Sequence, residues 1–198
     1  MAREVWVRSP ATALHFKMEI VKGFRDFVGE EALKREKIKL LMIEKFKNYG
    51  FLPAETPIIE YEKFVKAGST GSTSSDEVIS DIFKLEDKGK RKLALRYEFT
   101  FQLKRIALQQ KIPFRRYQIG EVFRDEPVSS RRFRQFTQCD VDIVGSTIRD
   151  DAEVLKLASI ILKELKIENV IYINNRKLLN EILEKEGIEE KEKKEEVI

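Results

Sequence analysis

The sequence predicts an α+β fold, an antiparallel sheet flanked by helices, and three observations predict it. Residues 114–124 and 133–144 are β-rich runs joined by the polar segment DEPVSSRR, which reads as a long antiparallel hairpin with an arginine-bearing loop. Residues 30–49 and 151–165 carry apolar side chains at helical spacing instead. Hydrophobic residues make up 42% of 198, enough for a real core and too many for a disordered chain.

The elements follow in order. Residues 1–17 have no clear period and read as a loose lead-in. Leu33, Ile38, Leu41, Met42, Phe46 and Tyr49 mark the first helix, and Gly50 is its stop signal. FLPAETPIIE is extended chain, because each proline pushes its predecessor out of the helical region. AGSTGSTSSDE (67–77) is a small-residue loop, and it lacks the lysine of a phosphate-loop motif. IFKLEDKGKRKLALRYE predicts two strands around a turn near Asp87–Lys90, and 100–110 predicts a helix. Asp150 or Asp151 caps a helix whose core face is Val154, Leu157, Ile161 and Leu165. ENVIYIN (168–174) reads as a short strand and KLLNEILEKEG as a last helix. The closing EKEGIEEKEKKEEVI is either a frayed helix or a solvated tail.

Composition narrows the function. No run of about 18 uncharged apolar residues is present, so no membrane span is expected. The N-terminus has no apolar core followed by a cleavage site, so no signal peptide is expected. One cysteine, Cys139, excludes an internal disulfide, and with the single His15 it argues against a zinc site. A reducing cytoplasm fits, and no metal held by protein ligands is expected. Residues 1–150 carry 29 Lys/Arg against 22 Asp/Glu, whereas 151–198 carry 9 against 12. Nine of the positives fall within 104–134. That cluster serves either a phosphate-bearing ligand or a solvated basic face.

The hairpin bears on both readings. With a period of two, Arg134, Phe136, Gln138, Asp140 and Asp142 share one face, and Phe133, Cys139, Val141 and Ile143 share the other. The second set is a core stripe. The first set combines an arginine, an aromatic ring, an amide and two carboxylates, with Arg124, Asp125 and Glu126 at the end of the facing strand. Arginine forks suit phosphate and carboxylate oxygens, an aromatic ring stacks on a purine, and carboxylates suit a substrate ammonium or magnesium. A nucleotide beside a small cationic substrate fits this face; so does an ion-paired, solvent-exposed sheet face, which the period alone does not exclude.

Five segments carry a family resemblance. FRDE, a short loop and RFRQF resemble the second signature motif of class II aminoacyl-tRNA synthetases. QCDVDIVG is similar to the corresponding strand of histidyl-tRNA synthetases, particularly the archaeal and eukaryotic type. LRYEFTFQLKR (95–105) resembles the segment that holds the histidine amino group, and KGFRDFVGEE (22–31) the family's G-x-x-D opening. The first helix with TPIIE resembles the first class II motif, whose proline is Pro57 at the dimer interface.

The resemblance implies a class II fold and a histidine–tRNA ligase that uses ATP with Mg2+, L-histidine and tRNA(His), normally as a homodimer. By the same resemblance Arg124 contacts both the ATP α-phosphate and the histidine carboxylate, and is the catalytic residue. Glu126 lies near the adenine amino group, Phe136 stacks on adenine, and Arg132 or Arg134 meets the outer phosphates. Glu98 and Thr100 accept the α-ammonium, Gln138 touches the substrate and Asp142 faces the imidazole. Arg124 and Asp142 are both expected to face a wet pocket.

The family's glycine-rich third motif, its R-G-L-D-Y-Y-like segment and its anticodon-binding domain do not occur in these 198 residues. The expected organisation is a lead-in at 1–20, a partial catalytic core at 21–175 with the first and second motifs, and a charged helical tail at 176–198. A truncated catalytic core is the leading expectation. The alternatives are a silent paralogue acting as a regulatory subunit in histidine biosynthesis, and a non-catalytic RNA-binding fragment.

Overall fold

The computed structural model describes residues 19–69 and 80–188. The lead-in with His15, most of the 67–77 loop and the end of the charged tail lie outside them. The chain divides into two compact units, the first ending at Leu157 and the second beginning at Ala158.

The first unit opens on α1 (Gly29–Asn48), with Glu30 and Glu31 in its first turn and Lys45 and Lys47 in its last, as the helix dipole favours. It ends where the sequence marks a stop. Gly50 takes φ +74°, and the Gly50 and Phe51 amides donate to the Lys47 and Phe46 carbonyls. This turn delivers Phe51, 1% exposed, into the core, beside Phe46 packed on Tyr117 at 5.3 Å between ring centroids. The expected apolar stripe of α1 is only partly covered, however, with Leu41, Met42 and Tyr49 half-buried. Phe46 alone is buried, whereas Leu33, Ile38 and Leu40 are exposed.

The extended chain after α1 forms β1 (Leu52–Pro53) and β2 (Ile59–Tyr61), followed by α2 (Glu62–Ser69). Residues 67–69, expected in a loop, therefore close this helix. β3 (Lys84–Glu86) and β4 (Lys92–Leu95) flank the expected turn, closed by the Lys90 amide on the Asp87 carbonyl at 3.0 Å. α3 (Thr100–Ala107), β5 (Phe114–Phe123), β6 (Gln135–Val144) and α4 (Ile148–Glu164) complete the order.

Among the described residues two three-stranded sheets result, β1-β5-β6 and β2-β4-β3. One pairing departs from the antiparallel expectation: β1 runs parallel to β5, with Leu52 opposite Arg116 and Pro53 opposite Tyr117. Proline has no N–H to donate, so this segment is confined to a short edge strand. Arg96 continues the β2–β4 ladder, its amide donating to the Ile58 carbonyl at 2.8 Å, and joins the two sheets through its carbonyl, which accepts from the Phe123 amide at 3.1 Å. Val65, Ile82, Ala94 and Phe101 form a buried cluster with Phe64 and Tyr97 packed against it.

The start of α4 corrects the expected cap. Thr147 occupies the capping position, and Asp150 reaches back to accept from its amide at 2.7 Å and its hydroxyl at 2.8 Å. Arg115 then ties β5 to this turn, donating to Asp150 at 3.1 Å and to Glu153 at 2.7 Å.

The second unit contains the end of α4 and α5 (Arg176–Lys185), capped by the Asn175 side chain on the Lys177 and Leu178 amides. ENVIYIN is not a strand. Among the described residues nothing pairs with it, and Val170, Tyr172 and Ile173 stay exposed. An unpaired strand leaves its amides and carbonyls without partners, so apolar composition alone does not make one.

Candidate functional site

The β5–β6 register builds the site. Asp142 lies opposite Arg116, Asp140 opposite Gln118, Gln138 opposite Gly120 and Phe136 opposite Val122, so one face gathers the odd combination seen in the sequence. The pairing extends one step past β5, where the Arg124 amide donates to the Arg134 carbonyl at 2.9 Å.

Arg124 stands at the mouth of this face. Its guanidinium lies 4.4 Å from the Tyr97 ring centroid and 5.2 Å from that of Phe136. Glu126 approaches it at 3.9 Å, and its Nε is buried with no hydrogen-bond partner. A guanidinium held by two rings and one distant carboxylate is oriented yet keeps donors to offer. Beside it opens a cleft of about 390 Å³ lined by Arg124, Glu126, Arg131, Arg132, Phe133 and Phe136.

Two of those lining residues correct the sequence reading. Phe133 was expected on the core face, but β6 begins at Gln135, so the period of two does not extend back to it. Phe133 turns to the cleft, and Arg25 covers its ring at 5.2 Å. Arg131 carries no expected role and lines the same cleft. The two arginines left open as partners of the outer phosphates now differ. Arg132 is exposed, 3.9 Å from Glu126, whereas Arg134 is tied to Asp125 at 3.1 Å and to the Glu126 carbonyl at 3.2 Å.

Farther along the face, Gln138 donates to both oxygens of Asp140 at 3.0 Å. Glu98 is half-buried and bonded to the Thr100 side chain; burial pushes its carboxyl up, and Asp140 adds to the push. Asp142 departs from expectation. Its Oδ2 lies 2.8 Å from an Arg116 nitrogen, and the Arg116 side chain is only 1% exposed. This carboxylate faces a buried cation as well as the open side of the sheet, so replacing it disturbs packing.

Arg96 is a second buried cation that the sequence did not reveal. It donates to the Glu121 carbonyl at 2.7 Å and to the Thr56 carbonyl at 2.9 Å, lying over Gly120. Gln118, 3% exposed, donates to the Thr56 hydroxyl at 2.7 Å. A charged residue in a strand ordinarily reads as exposed, and only the register with its neighbours shows these to be a floor.

The opposite face is less purely apolar than expected. Thr137 accepts from Arg35 of α1 and donates to Glu121, both at 2.6 Å. Cys139 lines a small cavity with Ile38, Met42 and Ile119, and burial pushes its thiol up to about 12. Pro57 is exposed, beside exposed Ile58 and Ile59. Among the described residues, no three His, Cys, Asp or Glu side chains are placed to hold a metal, and no helix is long and apolar enough to cross a membrane.

Comparison with known proteins places the chain in a family. Residues 23–197 match the family model described as histidyl-tRNA synthetase. The chain is 42% identical over 172 residues to histidine–tRNA ligase 1 of Bacillus cereus, covering 85% of this chain and 39% of that protein. It is 40% identical over 177 residues to histidine–tRNA ligase of Wolinella succinogenes, covering 86% and 39%. The crystal structure of histidyl-tRNA synthetase from Nostoc superposes with TM-score 0.72 at 30% identity, covering 87% of this chain and 40% of that one. A Bacillus halodurans structure described as an ATP phosphoribosyltransferase regulatory subunit/histidyl-tRNA synthetase gives TM-score 0.64 at 25% identity, covering 75% and 38%. The chain thus spans about two fifths of the length of the curated relatives it matches. These relatives are bacterial, so they lend no support to the archaeal and eukaryotic likeness expected from QCDVDIVG. With the family model covering residues 23–197, the chain belongs to the histidyl-tRNA synthetase family.

Proposed function

We propose that the β5–β6 face binds ATP and L-histidine for histidyl-adenylate formation, and that the protein serves as a histidine–tRNA ligase acting on tRNA(His) in the cytoplasm as a homodimer. The observation that carries this reading is Arg124, held between Tyr97 and Phe136 with buried Nε unpaired, beside the arginine-lined cleft.

In the proposed reaction a histidine carboxylate oxygen attacks the α-phosphorus in line. A new C–O–P linkage forms, the bond to the bridging oxygen breaks and pyrophosphate leaves with its electron pair. No protein nucleophile or base is needed, so the site works by positioning and charge neutralisation. Arg124 bridges the α-phosphate and the substrate carboxylate. Phe136 offers the adenine its ring, and Glu126 an acceptor for the exocyclic amine. Arg132, exposed at the cleft, is better placed than the tethered Arg134 for the outer phosphates. Glu98 and Thr100 take the α-ammonium, Gln138 contacts the substrate and Asp142 meets the imidazole. Asp125 and Glu126 are each engaged by arginines, and the described residues offer no carboxylate cage. Mg2+ accordingly enters with the phosphates of ATP, and no step is assigned to it.

A second reading has one observation in its favour, the resemblance to the Bacillus halodurans protein described in part as a regulatory subunit. The site residues Glu98, Arg124, Gln138 and Asp142 are all present here, which favours the ligase. Calorimetric titration separates the readings. Wild type should bind ATP and L-histidine, and Arg124→Ala should weaken both by about tenfold or more, the loss of one charge-assisted contact. Equal affinities in wild type and variant would overturn the assignment.

A further inference from the structure

Asp142 does not act alone. Arg116 sits directly opposite it on β5, is 1% exposed, and reaches its Oδ2 at 2.8 Å in an ion pair without hydrogen-bond alignment. A second Arg116 nitrogen donates to Gln118 Oε1 at 3.3 Å, and Gln118 in turn donates to Thr56. Arg116 Nε and one terminal nitrogen have no hydrogen-bond partner.

Such a pair is a poor way to stabilise a fold, because an apolar side chain of similar volume fills a buried position at less desolvation cost. What a guanidinium supplies that methionine cannot is a fixed positive charge and a direction. Burial and Asp140, on the same strand, both oppose ionisation of Asp142. Arg116 is the cation that opposes them.

We propose that Arg116 is the positioning residue of the substrate site, holding Asp142 turned so that its other oxygen accepts an N–H of the substrate side chain. Recognition of an imidazole then belongs to the Arg116–Asp142 pair. The inference rests on the histidine reading above for its substrate, but the pair itself can be tested without any ligand.

The first measurement follows the Asp142 carboxyl by carbon-13 NMR as pH is lowered, in wild type, Arg116→Gln and Arg116→Lys. Arg116→Gln, similar in reach and able to hydrogen-bond, should move the Asp142 midpoint to higher pH, and Arg116→Lys should leave it near the wild-type position. L-histidine titrated into the same proteins at neutral pH should bind about tenfold more weakly to Arg116→Gln and regain most of that in Arg116→Lys. A purely structural arginine would lower thermal stability in both variants without moving the Asp142 midpoint. Should Arg116→Gln not fold, wild type alone decides, because the Arg116 guanidinium nitrogen resonances must then follow the Asp142 titration. An unmoved midpoint in the folded variant, or Arg116 resonances indifferent to Asp142, would overturn the proposal. A shifted midpoint in Arg116→Gln, with histidine affinity unchanged both there and in Asp142→Asn, would keep the pair and overturn its role in substrate recognition.

Discussion

Gly120→Ala tests how the substrate face is kept open. A Cβ at this position would lie 2.8 Å from a terminal nitrogen of Arg96 and 3.6 Å from the Phe99 ring. Arg96 is not free to swing away, since its other donors hold the Glu121 carbonyl at 2.7 Å and the Thr56 carbonyl at 2.9 Å. Shifting the guanidinium forfeits one of these two charged hydrogen bonds, or lengthens both. At about 1.5–3 kcal/mol for a hydrogen bond to a charged group, the expected destabilisation is about 2–3 kcal/mol. For a chain of this size that corresponds to a Tm lowered by roughly 4–12 °C. Urea and thermal unfolding of both proteins give the value. The clash with Arg96 is the stated cause, so in an Arg96→Ala background the second substitution should cost far less. A loss below about 0.5 kcal/mol, or an equal loss in both backgrounds, would refute the reasoning.

Three further outcomes are expected. Exposed Leu33, Leu40, Leu52, Ile58 and Ile59 mark an apolar surface around the first-motif segment, so light scattering at micromolar concentration should show a dimer or larger species, and Ile58→Lys should reduce it. Burial raises the Glu98 carboxyl, so its charge opposes folding at neutral pH and that penalty disappears as pH falls through the ordinary carboxylate range. Glu98→Gln should therefore raise Tm at pH 7, with the difference from wild type shrinking toward pH 4; a gap independent of pH would contradict this. Because the Cys139 thiol is pushed up to about 12, it should label very slowly with a disulfide reagent at pH 8 and rapidly once urea unfolds the chain.

Period and punctuation explain what was legible in the sequence. The hairpin, both flanking helices and the turn at Asp87–Lys90 follow from local pattern, because alternation and glycine placement are properties of neighbouring residues. The odd composition of 134–142 likewise singled out the hairpin face on which the proposed site is built. The parallel β1–β5 pairing depends on contacts far apart in sequence, which no local period encodes. Arg96 and Arg116 were illegible for a different reason: burial of a charge depends on partners such as Thr56 and Asp142, and a strand pattern shows neither. ENVIYIN failed in the opposite direction, since its composition suits a strand but its surroundings supply no partner among the described residues.

The central claim is that one face of the β5–β6 hairpin holds ATP and histidine side by side. Amide and side-chain chemical-shift mapping of the isotope-labelled chain, with Mg2+–ATP and L-histidine added separately and then together, tests it most directly. ATP should perturb Arg124, Glu126, Arg132 and Phe136, while histidine should perturb Glu98, Gln138 and Asp142, with Arg124 responding to both. Saturable shifts confined to another surface, such as the cationic cleft at Lys63, Lys66, Arg91 and Lys92, would contradict the account, as would no response from the hairpin to either ligand.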